Sequence, residues 1–290
     1  MVDCHIHAVL DGEDWKKALQ RHAQGVDVPW VHRMLSAYRD AGFTYLRDGG
    51  DRWGVGKKAR ELASRYGITY RTPLAPLCQV GRYGGFIGKN YANMSEYTGL
   101  VRQARAEGAD FIKIMISGLM DFDRFGVLTQ EGLPKAQIRE LIHIAHEEGF
   151  SVMAHANGAR TVEAAAAAGA DSVEHGAYLN EDALCAMKEN GTVWCPTLSA
   201  IGNLRGRGRF DEKAVSAIYE SAVENLRRFA KMNGLIAPGS DAGAWSVSHA
   251  TGGNDEYGHL FRALGDNWKV YLDAGTDAIF TKFQPAENSP

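Results

Sequence analysis

The chain has 290 residues, of which 45% are hydrophobic and 23% charged, and its net charge is −3. This is the composition of a globular protein, and the charge gives no reason to expect a nucleic acid or an anionic membrane as a partner. No segment approaches the roughly 18 consecutive apolar residues of a membrane helix, and no leader precedes the first apolar run. The four cysteines are scattered without a CxxC pair. We therefore expect a soluble, cytoplasmic protein with reduced thiols.

Predicted strands and helices alternate regularly along the chain. Glycine tolerates the left-handed conformation that closes a helix, so a glycine between a polar and an apolar segment predicts a helix-to-strand turn. Seven such turns occur, at Gly42, Gly67, Gly108, Gly149, Gly169, Gly191 and Gly234. With the opening strand they predict eight strands, near residues 2–7, 43–48, 68–75, 110–116, 151–155, 171–175, 192–197 and 235–240.

The segments between these strands have the length and periodicity of amphipathic helices, for example at 134–148 and 211–232. Eight alternating units predict an α/β fold, the (β/α)8 TIM barrel, as one domain over residues 1–283. The polar tail at 284–290 contains two prolines and is expected to be disordered.

Six potential metal ligands lie at the ends of the predicted strands. Strand side chains alternate faces, so two histidines two residues apart point the same way, roughly 7 Å apart along the strand. A single histidine in a strand is more often a buried, hydrogen-bonded core residue. In a parallel barrel, however, the loops that follow the strands form the active face, and the whole set predicts a metal-dependent hydrolase. The six are His5, His7, Lys113, His155, His175 and Asp241.

Lys113 is the least expected member of this set, because it lies in the apolar run Phe-Ile-Lys-Ile-Met-Ile. A buried ammonium is costly unless it is paired or neutralised. One solution is a salt bridge to an acid in the barrel. The solution we favour is carbamylation by CO2, which turns the amine into an anionic ligand that can bridge two metal ions. The neighbouring Arg47 and Asp48 are expected to brace the second strand as a pair.

Five sequence stretches, at 3–7, 111–118, 154–158, 173–176 and 239–243, carry a family resemblance. With them the chain resembles the amidohydrolase superfamily, in its prolidase-like and imidazolonepropionase-related branch. The resemblance implies two divalent metal ions, with zinc preferred and manganese, cobalt or iron as alternatives. One ion would be held by His5, His7, carbamylated Lys113 and Asp241. The other would be held by the same carbamate with His155 and His175.

The chemistry implied by this resemblance is attack by a metal-activated hydroxide. Asp241 would accept the proton of the attacking water and pass it to the leaving amine. Four further side chains are candidates for contact with a small-molecule substrate that carries a carboxylate, with a solvated loop position as an equal alternative for each. They are Arg82 and Tyr83, in a loop where relatives often carry His, and Tyr178 and His249. The arginine-rich run at 205–209 is expected to be a flexible exposed loop or a lid.

Relatives in this branch usually add a small β-sandwich before and after the barrel. The sequence predicts a bare barrel, natural or truncated, whose otherwise covered apolar surface is hidden by formation of a homo-oligomer.

Our first interpretation is hydrolysis of an amide bond, in a dipeptide, an Xaa-Pro-like dipeptide or an N-acyl amino acid. The alternatives are an ester, lactone or phosphotriester hydrolase on the same centre, and a catalytically silent metal-binding assembly subunit. Cyclic-amide hydrolysis is less favoured, because those relatives usually use one metal and lack the strand-four lysine. Nucleobase aminohydrolases carry a catalytic Glu shortly after the strand-five His, where this chain has Ala156, Asn157 and Gly158.

Overall fold

The computed structural model describes residues 1–285, so most of the predicted tail lies outside the described residues. The strands are β1 Val2–Ile6, β2 Tyr45–Asp48, β3 Thr69–Arg71, β4 Leu77–Gln79, β5 Lys89–Tyr91, β6 Ile112–Met115, β7 Val152–Ala156, β8 Ser172–His175 and β9 Val193–Cys195. The helices are α1 Trp15–Arg21, α2 Val28–Asp40, α3 Val55–Ala63, α4 Met94–Ala106, α5 Lys135–Glu147, α6 Ala159–Ala167, α7 Glu181–Glu189, α8 Ser199–Gly202, α9 Glu212–Lys231, α10 Thr251–Leu264 and α11 Trp268–Lys282.

The paired strands are parallel and lie in two sheets, in the orders β1-β2-β3 and β5-β4-β6-β7-β8-β9. The segment at 235–241 lies between β9 and β1, where the eighth strand was predicted. The backbone N–H of Trp194 donates to the carbonyl of Leu235 (2.8 Å), and the N–H of Cys4 donates to the carbonyl of Pro238 (2.8 Å). This segment therefore connects the two sheets, although its pairing is too irregular to form a continuous ladder.

The third predicted strand is interrupted. The expectation of one strand over 68–75 is wrong, because Pro73 has no N–H to donate and Leu74 has a positive φ of 64°. The chain resumes pairing only in β4, which hydrogen-bonds to β5 and β6. At the interruption the N–H of Asp110 donates to the carbonyl of Thr72 (3.0 Å), which connects the two sheets a second time. The α/β barrel predicted from the sequence is confirmed, with these two irregular positions.

The glycine turns mostly have the predicted conformation. Six of the seven have a positive φ, between 62° and 90°, namely Gly42, Gly67, Gly108, Gly149, Gly169 and Gly191. Gly234 is the exception, because the positive φ (55°) belongs to Asn233. A Cβ at Gly234 would lie 2.5 Å from the Phe229 ring, so close packing on α9 is what requires glycine there.

Phe283, which directly follows α11, packs into the barrel at the amino ends of the strands. The ring of Phe283 lies 5.2 Å from the ring of Phe111, which immediately precedes β6. It also lies 4.3 Å from the guanidinium carbon of the buried Arg47. This packing closes one end of the barrel and leaves the other, at the carboxyl ends of the strands, for the loops. Within the described chain, no helix combines the length and apolar character needed to cross a bilayer.

Candidate metal centre

Three potential ligands meet where β1 and the 235–241 segment end. The Nε2 atoms of His5 and His7 are 3.3 Å apart, and Asp241 Oδ1 lies 3.5 Å from the first and 3.3 Å from the second. All three ligand atoms lie within 4.8 Å of one another. Two imidazole nitrogens and a carboxylate oxygen facing a common point form a donor set that suits zinc and similar divalent ions.

The tautomer of His5 is fixed by Glu174 on β8. His5 Nδ1 lies 2.7 Å from Glu174 Oε2, and both side chains are fully buried. Because an ionised carboxylate can only accept, Nδ1 carries the hydrogen and the lone pair of Nε2 faces His7 and Asp241. Burial lowers the pKa of His5 well below its usual value, and the nearby Lys113 ammonium lowers it further. The imidazole is therefore neutral, as a metal ligand must be.

Arg47 continues this chain of contacts. Its NH2 group donates to Glu174 Oε1 (2.9 Å) and its NH1 group to Ser172 Oγ (2.8 Å), inside the barrel. Arg47 and Asp48 do not contact each other through their side chains, because adjacent strand residues point to opposite faces. Asp48 instead accepts from the hydroxyl of Thr72 (3.1 Å).

His155 and His175, at the ends of β7 and β8, stand beside the first cluster. Their ring centroids are 4.6 Å apart, and the ring of His175 lies 5.0 Å from that of His5. His155 Nε2–H donates to the carbonyl of Gly118 (3.2 Å), and His175 Nδ1 lies 2.8 Å from Thr197 Oγ1. Each ring is thus oriented by one hydrogen bond and has a second nitrogen left for another partner.

Lys113 on β6 is 1% exposed, and its Nζ has no hydrogen-bond partner among the described residues. Burial lowers its pKa to about 8. The alternative to carbamylation, a salt bridge to a barrel acid, is not formed within residues 1–285, since Glu174 is engaged by Arg47 and His5. Burying an amine without a partner costs free energy, and a ligand or a covalent modification at Lys113 would remove that cost.

The backbone is strained where these side chains converge. His175, Thr197 and Asp241 have φ values of 69°, 48° and 59°, a region that residues other than glycine rarely occupy. Such strain persists where surrounding contacts enforce it, and it concentrates at functional sites. Gly49 leaves the space that His7 fills, because a Cβ there would lie 2.4 Å from His7 Cε1.

A cavity of about 930 Å³ opens onto this cluster. His7, Lys113, His155, His175 and Asp241 line its inner part. Its other walls are largely apolar and aromatic, formed by Leu10, Trp15, Tyr83, Phe86, Ile87, Met115, Leu119, Met120, Phe122, Leu204, Phe210 and Trp245. A site of this kind can hold a small molecule with the reacting bond against the histidines.

A sequence profile of the amidohydrolase family matches residues 32–245, a stretch that includes Lys113, His155, His175 and Asp241. The chain belongs to the amidohydrolase family. Ochratoxinase from Aspergillus niger is 26% identical over 198 residues, which are 63% of this chain and 38% of that protein. The chain thus matches well under half the length of this curated relative.

Solved structures of other amidohydrolases share the fold. A Xaa-Pro dipeptidase with methionine bound in its active site superposes with a TM-score of 0.79 at 20% identity, covering 99% of this chain and 76% of that one. The A. niger ochratoxinase structure gives a TM-score of 0.78 at 19% identity, covering 98% of this chain and 71% of that one. At these identities the likeness establishes the fold alone.

Of the four residues predicted to contact substrate in this amidohydrolase, one lines the cavity. Tyr83 lines the cavity, and its ring lies 4.9 Å from that of His155. Burial and the carboxylate of Asp241 raise the pKa of the Tyr83 phenol, which therefore remains a hydrogen-bond donor. Arg82 and Tyr178 are not among the described residues that line this cavity. Arg82 donates instead to the backbone carbonyl of Glu131.

His249 is also not among the described residues that line this cavity. Its Nε2–H donates to the carbonyl of Leu10 (2.9 Å), and its Nδ1 lies 3.4 Å from the hydroxyl of Tyr38. Burial lowers the pKa of His249 to about 4. A neutral imidazole held in this way connects α2 to the loop after β1, a structural position that the sequence did not distinguish from a substrate contact.

Sequence reasoning missed Glu174 and the ion pair that it forms with Arg47. The available signal was the presence of opposite charges inside two separate apolar strands, in Tyr-Leu-Arg and Ser-Val-Glu. Burying either charge alone is prohibitive, so each implies a partner in the barrel. Only the strand order identifies which residues meet.

Proposed function

We propose that this protein is a metal-dependent hydrolase that cleaves an amide bond, in a dipeptide, an Xaa-Pro-like dipeptide or an N-acyl amino acid. The observation that carries the proposal is the meeting of His5 Nε2, His7 Nε2 and Asp241 Oδ1 within 4.8 Å, beside a cavity large enough for such a molecule. The family membership and the shared fold of a Xaa-Pro dipeptidase support it.

The residues present fit two divalent ions, zinc first and manganese, cobalt or iron as alternatives. His5, His7 and Asp241 would hold one ion, while His155 and His175 would hold the other. When bound, such ions supply Lewis acidity, which acidifies water and polarises a carbonyl group. The fit is supported by the lone pair that Glu174 directs from His5 toward His7, and by the unpartnered Nζ of Lys113.

Lys113 is proposed to carry a carbamate that completes both sites. The neutral amine would attack the carbon of CO2 and lose one proton, leaving an anionic group with two oxygen ligands. The buried, unpartnered Nζ and its pKa of about 8 favour this reaction, because the neutral amine is accessible near physiological pH. Labelling with ¹³C-bicarbonate tests it: a carbamate carbon signal is expected in the native protein and not in Lys113→Met.

Asp241 would move the proton during hydrolysis. Its Oδ1 lies 3.3 Å from His7 Nε2 and its side chain faces the cavity, so it can accept the proton of an attacking water. The same carboxyl group would then donate that proton to the leaving amine. Tyr83, which lines the cavity, would donate a hydrogen bond to a substrate oxygen.

The decisive experiment loads the purified protein with zinc, manganese or cobalt and screens dipeptides and N-acyl amino acids for release of the amine. We expect turnover that a chelator abolishes and that the metal restores. Parallel assays with esters, lactones and phosphotriesters, and with the Asp241→Asn variant, serve as comparisons. Turnover of those bonds without amide cleavage, or no turnover at all despite full metal loading, would overturn the proposal.

The protein is also proposed to act in the cytoplasm. Cys4, Cys78, Cys185 and Cys195 are all free thiols, as expected for a reducing compartment.

A further inference from the structure

The outer part of the cavity contains an arginine that the proposed chemistry does not use. Arg209 lies in the loop before α9 and lines the same cavity as the histidines. Its guanidinium carbon lies 4.4 Å from the ring centre of Trp245 and 5.3 Å from that of Phe210. Stacking on two aromatic faces restrains a planar guanidinium while leaving its in-plane N–H groups free to bind a ligand.

No side chain among the described residues competes for the Arg209 guanidinium. Within residues 1–285 its guanidinium forms no ion pair, unlike Arg124 nearby. Besides Asp241, four acidic residues line the same cavity, and three of them form contacts elsewhere, whereas Glu13 is exposed and forms no ion pair within residues 1–285. Asp121 pairs with Arg124 (2.5 Å), Asp123 accepts the backbone N–H of Asp211 (2.8 Å), and Asp14 caps α1 through the N–H of Lys16 (3.0 Å). A stacked arginine without a carboxylate partner, at the edge of a substrate-sized cavity, is suited to binding an anion.

The walls around Arg209 are aromatic. Phe122, Phe210 and Trp245 contact one another in series, with ring centroids 5.2 Å and 6.2 Å apart. A second series leads from the exposed Trp15 through Phe86 to Tyr83, with ring centroids 5.3 Å and 6.1 Å apart. Both series line the cavity. They would contact the apolar parts of a ligand that extends from the histidines toward the solvent.

We propose that Arg209 recognises a carboxylate on the substrate, and that the two aromatic series select an amide with bulky apolar or aromatic groups on both sides of the scissile bond. This inference rests on the proposed amide hydrolysis and narrows its substrate class to N-acyl derivatives of large apolar amino acids. Arg209 thereby takes the role that the sequence suggested for Arg82, whose guanidinium is held by the backbone of Glu131.

Two probes separate the effect of the substrate's carboxylate on binding from that of its rings and amide. N-benzoyl-L-phenylalanine and N-(2-phenylethyl)benzamide share both rings and the amide, but only the first carries a carboxylate. For the zinc-loaded protein, Arg209→Ala should raise KM for the first probe about 10-fold, the loss expected for a charge-assisted hydrogen-bonded pair. It should leave kcat and the KM of the neutral probe unchanged. Arg209→Lys should give an intermediate KM, because a lysine keeps the charge without the planar fork.

Two matched variants serve as controls. Arg207→Ala removes an exposed arginine of the same loop that does not line the cavity in the described chain, and Lys16→Ala removes a cation that does. Both should keep the native KM for N-benzoyl-L-phenylalanine. Equal effects of Arg209→Ala on both probes, no effect on either, or a larger effect of Lys16→Ala would overturn the role of Arg209. Hydrolysis of N-acetylglycine as efficient as that of the benzoyl probe would overturn the aromatic selection.

A binding measurement separates this inference from the proposed reaction. Quenching of tryptophan fluorescence by N-benzoyl-L-phenylalanine can be titrated on the zinc-loaded Asp241→Asn protein, which needs no turnover. The inference is supported if N-benzoyl-L-phenylalanine binds more tightly than the neutral probe and if adding Arg209→Ala to the Asp241→Asn protein removes this difference. That result holds even if the native protein hydrolyses neither probe. Equal binding of both probes would reject it even if amide hydrolysis is found.

Discussion

Arg47 and Glu174 meet inside the barrel, with NH2 2.9 Å from Oε1 and both side chains fully buried. Burying two charges costs about as much as their attraction returns, so such a pair is weak evidence for stability. Its consequence lies in orientation, because the second oxygen of Glu174 holds His5 at 2.7 Å. The pair therefore sets which nitrogen of His5 faces His7 and Asp241.

Glu174→Gln tests this orientation. The variant leaves the Arg47 charge unpaired and weakens the acceptor for His5 Nδ1–H. We expect zinc affinity to fall about 10–100-fold, as is usual when the partner of a ligating histidine is lost. The free energy of unfolding should fall by about 3 kcal/mol because a buried charge loses its partner. Competition with a chelator and urea denaturation measure the two effects.

Glu256→Gln is the matched control. Glu256 is equally buried but accepts from the backbone N–H groups of Leu198 and Ser199, so its replacement should leave zinc affinity unchanged. Unchanged zinc affinity in Glu174→Gln would show that Glu174 does not orient His5.

Asp241→Asn separates proton transfer from metal binding. Asparagine still offers an oxygen to a metal ion but cannot accept the proton, so kcat should fall about 10²–10⁴-fold while metal content falls less. Steady-state kinetics and elemental analysis of the same preparation measure both. Asp123→Asn, which changes an exposed carboxylate of the same cavity, should keep near-native kcat. A near-native rate in Asp241→Asn would mean that another group carries the proton.

Gly49→Ala tests the space around His7. The added Cβ would lie 2.4 Å from His7 Cε1, so the ring must leave its present position relative to His5 and Asp241. We expect zinc affinity to fall by about 10-fold or more, as when the surroundings of a ligand are disturbed. Gly99→Ala is the comparison, because no atom lies within 4 Å of its added Cβ in α4. That variant should gain about 0.5–1 kcal/mol in stability and keep its zinc affinity, and equal zinc affinity in both would contradict our account of His7.

His249 should make the fold sensitive to acid. Its pKa is about 4 in the folded protein and 6.5 ordinarily, so protonation favours the unfolded state. The stability that it contributes is present above about pH 6.5 and is lost as the pH falls toward 4, with at most about 3 kcal/mol at stake. His249→Gln should therefore lose less stability than the native protein between pH 7 and pH 5, measured by urea denaturation without metal.

His143→Gln changes an exposed histidine and should match the native profile over the same pH range. If His249→Gln loses as much stability as the native protein does, His249 titrates normally in the folded state.

The convergence of the candidate metal ligands could be predicted from local rules. Alternation along a strand places His5 and His7 on one face, and parallel topology brings Lys113, His155, His175 and Asp241 to one end of the barrel. Both rules depend on backbone geometry that all sequences share. The glycine turns followed the same logic except at Gly234, where a packing contact with Phe229 rather than a positive φ requires glycine.

The contacts between distant side chains could not be predicted in this way. Arg47 and Glu174 are 127 positions apart. The three arginines at 205–209 are equivalent as sequence, yet only Arg209 of that run lines the cavity in the described chain. Which of them stacks on Trp245 depends on how two loops approach each other, and the pattern of residue types along the chain does not determine that.

The contact between β1 and the 235–241 segment determines when the barrel can be completed during synthesis. Asp3 and Ser240, whose side chains are 2.6 Å apart there, are separated by 237 positions in the chain. A ribosome must therefore synthesise nearly all of the barrel before its first and last strands can meet. His5 and Asp241 lie on opposite sides of the seam between β1 and the 235–241 segment, so an ion bound by both would link its two sides. Metal starvation should then be visible first as faster amide hydrogen exchange at Cys4 and Asp241, whose N–H groups donate across the seam.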